Sequence, residues 1–231
     1  EKVFFSNSGA EAIEGAVKTA RKYAYLNFSK TKNEIVAFSD AFHGRTMMAI
    51  ALNGSDRMTE GFGPMPGGIK HHPFNEERNL EKVINKKTAA VVIELVQGEA
   101  GIIKAKKNFV QKIKKLCKQH KTLIIVDEVQ SGAGRTGSLF AYKQFGLKPD
   151  IMCCAKGIGG GIPIGAILTS SKIAESMQIG SHGSTFGGNP LACAVSEQAM
   201  KLIATKKILN GVKKKEKLFV DGLKEINKKF N

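Results

Sequence analysis

Tryptophan is absent from this 231-residue chain, arginine occurs five times against 31 lysines, and there are four cysteines. Each scarcity excludes something. Cys117, Cys153, Cys154 and Cys193 show no CxxC spacing, so neither a disulfide framework nor a thiolate zinc site is expected. His43, His71, His72, His120 and His182 lack HExxH or paired ligand spacing. They read as loop or surface histidines, and no metal is expected. No stretch approaches the roughly 18 apolar residues of a membrane helix. Residues 1–15 lack the basic-then-apolar order of a signal peptide, so the reading is a cytoplasmic, globular chain. Acidic residues number 20 against 36 basic ones, a formal charge of +16. Sequence-reading nucleic-acid binders use arginine forks and aromatic platforms, and no finger, homeodomain or RNP pattern occurs. A solvated lysine face that draws anionic substrates is the expected use of the charge.

What is present is 42% apolar residue content in regular alternation. Apolar, β-branched runs at Lys2–Ser6, Glu34–Ser39, Ala89–Val96, Thr122–Asp127, Asp150–Ala155 and Ile164–Thr169 read as strands. Helical periodicity marks Ala10–Leu26, Asn108–His120, Lys172–Met177, Pro190–Ala204 and Lys206–Phe230. Continuous apolar strands between helices predict an α/β three-layer sandwich with a mostly parallel sheet covered on both faces. The last helix carries Leu218, Phe219, Leu223, Ile226 and Phe230 on one face and lysines on the other, so it needs a partner surface. Residues 1–205 are read as one large domain and 206–231 as a helix leading to a second.

In such sheets ligands sit beyond the carboxyl ends of the strands. Two residues fall there: Asp127, which ends Thr122–Asp127, and Lys156, in Ala155-Lys156-Gly157 just past Asp150–Cys154. A lysine and a carboxylate in one cavity are what pyridoxal 5'-phosphate (PLP) needs, because the amine forms a Schiff base and the carboxylate pairs with the protonated ring nitrogen. Ser6-Asn7-Ser8-Gly9-Ala10-Glu11 lies between a strand and a helix. Its small residues and free N–H groups suit a phosphate, and its Ser8 and Glu11 equally suit a capping box. Gly132-Ala133-Gly134-Arg135-Thr136-Gly137 matches GxGxxG but starts several residues after a strand end, so a dinucleotide site is not expected.

Six blocks, Asn7–Ala12, Ala41–Thr46, Glu94–Glu99, Asp127–Gly132, Ala155–Gly157 and Gly183–Pro190, stand in the order of the class III (ω-amino acid) aminotransferases, which the chain resembles over nearly its whole length. Gly180–Ala192 and Gly61–Pro64 are most similar to the acetylornithine branch. The resemblance implies the large domain of a fold type I PLP-dependent transferase. In it Lys156 is the catalytic lysine, Asp127 the ring-nitrogen partner and Gln130 a neighbour of the phenolic oxygen. Phe42 would stack on the ring, while Ser8, Gly9 and Ala10 cradle the phosphate. Thr185 would reach the phosphate of a neighbouring subunit in a homodimer.

For substrate it implies Arg45 on a carboxylate, with Glu99 and Ser184 also lining the pocket. Glu99 would pair with a second arginine in the family's carboxyl-terminal domain, and no arginine follows Arg135. The chain starts without methionine inside a strand and stops after a helix, so the family's flanking segments are expected to lie outside it. Ala10 and Leu95 stand where relatives often have Thr and Pro. The implied reaction exchanges the terminal amine of an acylated ornithine for the oxo group of 2-oxoglutarate. The 4-aminobutyrate and ornithine branches, a cofactor-free binding fragment and a nucleic-acid binder are the alternatives.

Overall fold

A computed structural model describes residues 1–230. The chain runs β1 (Lys2–Ser6), α1 (Gly9–Asn27), β2 (Glu34–Phe38), α2 (Met47–Leu52), α3 (Asp56–Thr59), β3 (Ile69–His72), α4 (Leu80–Val83) and β4 (Thr88–Glu94). It continues with β5 (Val96–Gln97), β6 (Ile103–Lys104), α5 (Lys107–His120), β7 (Leu123–Asp127), β8 (Ile151–Cys154), β9 (Gly165–Thr169), α6 (Ser171–Ala174), α7 (Pro190–Ile203) and α8 (Lys206–Phe230). Seven strands form one sheet in the order β1-β9-β8-β7-β4-β2-β3. The pairs from β8 to β3 are parallel, and β9 runs antiparallel to both β8 and β1.

Alternate residues of the central strands fill the two layers beside the sheet. Ala90, Val92 and Ile125 pack with Ala12, Ile13, Ala16 and Val17 of α1. Val91, Ile93, Ile124 and Val126 pack with Phe109, Val110 and Ile113 of α5. This is the three-layer α/β sandwich the sequence predicts. Ser8 caps α1 by accepting from Glu11 N at 3.2 Å. Lys121 ends α5 in the left-handed conformation, φ 53°.

The expected strand Ala89–Val96 is broken. Leu95 is buried, and Val96–Gln97 turns off to pair with β6 in a separate ribbon. The expected helix Lys172–Met177 is the shorter α6. β3, α2, α3 and α4 were not anticipated. At the amino-terminal edge, buried Lys32 donates to Thr88 O (2.6 Å) and His120 O (2.9 Å). It thereby ties the loop before β2 to β4 and to the end of α5, and desolvation lowers its pKa. α8 buries no residue, and its apolar stripe stays exposed. The three ion pairs among the described residues are His43–Asp127, Lys112–Glu81 and Lys201–Glu197, so nearly all the lysines go unpaired. Among the described residues no helix is long and apolar enough to cross a membrane.

Candidate active site

Parallel register sets the centre of the site. Asp127, the last residue of β7, lies opposite Glu94 of β4 on one side and Cys153 of β8 on the other. Lys156 follows Cys153 by three residues, so the lysine and the aspartate emerge from neighbouring strands at the same carboxyl edge. Lys156 is exposed and opens a short 3₁₀ turn, with φ 47°. A left-handed non-glycine residue costs conformational energy and persists only where its surroundings hold it, a condition concentrated at functional sites.

Four segments converge on this edge. Asp127 is buried; its Oδ1 accepts from Val129 N at 2.9 Å and its Oδ2 from His43 Nδ1 at 2.8 Å. His43 is buried as well, and its Nε2 has no partner among the described residues. The expectation of a loop or surface histidine is therefore corrected. Its partner sits 84 positions away, beyond the reach of local pattern reading. Burial pulls the imidazole pKa down, but the hydrogen bond and charge of Asp127, helped by Glu94, prevail and raise it. Glu94 is buried and accepts from Phe42 N at 2.8 Å, which fixes the loop bearing Phe42 and His43.

Phe42 is half-buried, and the Arg45 guanidinium lies over its ring at 5.3 Å. Arg45 is exposed and enters no salt bridge among the described residues. Gln130 donates to Glu99 at 3.0 Å. A Cβ on Gly98 would fall 2.5 Å from Gln130 Oε1, so a side chain there would push the Gln130 amide from its place beside Glu99.

The helix start of α1 meets the same cluster. A Cβ on Gly9 would lie 2.7 Å from Val129, and one on Gly44 2.7 Å from the Ala10 side chain. Ser8 caps Glu11 N, while the first N–H groups of α1, at Gly9 and Ala10, find no backbone acceptor. Asn7 donates to Glu11 (3.1 Å) and to Ser184 Oγ (3.0 Å), and Gly187 N also donates to Ser184 Oγ (3.1 Å). The Ser184 hydroxyl thus pins the 183–188 loop onto the end of β1. Thr185 on that loop is exposed.

Glu128, which the sequence reading passed over, is buried and accepts from Ser131 Oγ, Ala141 N and Tyr142 N. It orders the glycine-rich 132–137 segment. That segment is a turn and not a helix start.

The family model described as Aminotransferase class-III matches residues 1–231. The chain belongs to the class III aminotransferases. It is 49% identical over 237 residues to the succinylornithine transaminase of Yersinia pseudotuberculosis serotype O:1b (strain IP 31758) and 50% identical over 230 residues to the acetylornithine aminotransferase of Vibrio cholerae serotype O1. Both matches cover all of this chain and 57% of the relative, so the chain spans a little over half the length of the curated relatives it matches. The solved ornithine aminotransferase of Toxoplasma gondii crystallized with oxidized glutathione, reported with partial occupancy of PLP, superposes with a TM-score of 0.92 at 32% identity. The alignment takes in 97% of this chain and 54% of that one.

Class III aminotransferases are PLP-dependent. This edge fits the cofactor: a buried carboxylate backed by a histidine with an unpartnered nitrogen, an aromatic face, an exposed amine at a strand end, and a helix start with free N–H groups.

Proposed function

We propose that the protein carrying this chain is an aminotransferase that moves the terminal amine of an N-acylated ornithine to 2-oxoglutarate, with residues 1–205 as the cofactor-binding part of its large domain. The observation that carries the reading is the shared strand edge: Asp127 in register with Cys153, three residues before Lys156, in a chain half identical to acylornithine aminotransferases. Bound PLP supplies an electron sink for the carbon losing its proton.

This chain's residues do the remaining work. Lys156 Nζ would hold the cofactor covalently and would carry the proton to and from the substrate carbon. Asp127 keeps the ring nitrogen protonated, and His43, donating to Asp127, holds that carboxylate in place. Phe42 would offer its aromatic face to the ring and exclude water. Ser8, Gly9 and Ala10 receive the phosphate at the α1 amino terminus. Gln130 faces the phenolic oxygen and is steadied by Glu99. Arg45 receives a substrate carboxylate through its two-pronged guanidinium, and Ser184 and Glu99 line the pocket beside it.

The exposed Thr185 supports a homodimer in which this loop completes the neighbouring phosphate site. The bare stripe of α8 supports a further domain that covers it.

A donor panel tests the substrate assignment. N-acetylornithine and N-succinylornithine should bleach the visible absorbance of the bound cofactor at least about tenfold faster than ornithine or 4-aminobutyrate, the size of discrimination a few buried contacts provide. A protein that prefers 4-aminobutyrate would overturn the acylornithine assignment.

A further inference from the structure

The register that sets Asp127 beside Cys153 also sets Glu94 beside Asp127. Ala90 and Val92 on β4, and Leu123 and Ile125 on β7, pack in the α1 layer. By alternation Glu94 and Asp127 project to that same side. Two buried carboxylates in adjacent register positions repel each other. One cation is built in for the two of them, His43 on Asp127 at 2.8 Å. Glu94 itself is met by neutral donors, the N–H of Phe42 and the backbone of Gly98.

Among the described residues the surroundings offer no second buried cation. Glu128, next to Asp127, is committed to Ser131, Ala141 and Tyr142. The Cys153 thiol is kept protonated by burial and by the Asp127 charge. Arg45 is exposed over Phe42, and Lys156 is exposed at the strand end. Burial, opposed by His43 and reinforced by Asp127, pushes the Glu94 carboxyl up to about 7. Near neutrality, then, the cofactor-free protein retains a proton there in part.

Resting on the cofactor reading above, we propose that Glu94 is a second counter-charge of the site: when a protonated ring nitrogen docks on Asp127, Glu94 gives its proton to solvent and the carboxylate so formed balances the added cation. At Glu94 one O–H bond breaks, its electron pair stays on the carboxylate and the proton passes to water. Glu94 is a positioning residue, acting through Asp127 and His43 without touching the cofactor. Below about pH 7 capture must first expel that proton, so affinity falls as pH falls, by up to tenfold per pH unit.

The test is calorimetric titration of the cofactor-free protein with PLP, in two buffers of different protonation enthalpy, for wild type and E94Q. The glutamine Oε1 still accepts from Phe42 N–H, and protons taken up or lost by PLP itself cancel between the two. At pH 6 the wild type should release close to one proton more than E94Q and lose affinity more steeply on acidification, and E94D should restore the difference. Equal proton counts with equal pH slopes would overturn the role of Glu94 while leaving the cofactor reading intact. A folded wild type that takes up no PLP and shows no visible absorbance sinks both. Should E94Q not fold, carboxyl ¹³C shifts of wild type at pH 6 decide: Glu94 still protonated in the PLP-bound protein overturns the proposal.

Discussion

Lys156→Ala should abolish covalent attachment of the cofactor and lower transamination by about 10⁴-fold or more, because under the proposed function one side chain serves as both anchor and proton carrier. Mass spectrometry after borohydride reduction reads the first effect: wild type gains the cofactor mass on the peptide containing Lys156, and the variant does not. Turnover with saturating donor reads the second. The lysine is exposed and makes no hydrogen bond or ion pair among the described residues, so its loss should leave the melting temperature unchanged. An active variant, or label on another lysine, would contradict the assignment. A variant that melts early would show that the left-handed turn at 156 needs its side chain.

Asp127→Ala has the second largest expected effect, and it divides between stability and chemistry. Removing the carboxylate leaves His43, wholly buried and already short of a partner at Nε2, with neither ring nitrogen bonded. Breaking one side of a buried charged pair costs about 3–5 kcal/mol, to be read from urea unfolding. Asp127→Asn separates the two contributions. Its amide oxygen can still accept from His43 Nδ1 and preserve the fold, yet it brings no charge to a ring nitrogen. It should lose about 10²–10³-fold in turnover, the usual cost of deleting one preorganised electrostatic group.

The pH dependence of stability has a definite sign. The His43 pKa is raised in the fold, so its contribution is complete below its ordinary value of 6.5 and is lost as pH climbs through the raised one. Glu94, also raised, acts in the same direction between its ordinary 4.5 and about 7. The cofactor-free wild type should therefore lose stability as pH rises from about 5.5 to about 8, within which Glu94 reaches its raised value. Asp127→Asn should flatten the part due to His43. A wild type that gains stability on going alkaline would contradict the buried pair.

Six strands were legible because a strand sandwiched between helical layers must be apolar on both faces, and a run such as Leu-Ile-Ile-Val at 123–126 has few other uses. β3 was not, since Ile69-Lys70-His71-His72 at the sheet edge carries one apolar residue. α2 stayed hidden for the opposite reason: Met47–Leu52 is apolar throughout and buried from Met48 onward, so it has no polar face to set a period. The break at Leu95 was not legible, because Leu95 and Val96 carry the apolar run on past Glu94. At the site, Lys156 and Asp127 announce themselves by standing at strand ends. His43 and Glu94 do not, since what makes them matter is a neighbour from a distant part of the chain, met through a loop for His43 and through sheet register for Glu94.

The lysine surface, with two of its members in ion pairs among the described residues, puts the molecule under electrostatic pressure from within. Added electrolyte relieves that pressure, since Debye screening shortens the reach of each charge to about 8 Å at 0.15 M and about 3 Å at 1 M. The same screening dims the long-range pull on phosphate and dicarboxylate ligands. Ionic strength therefore sets two properties against each other, a firmer fold at high salt and faster capture of anions at low salt.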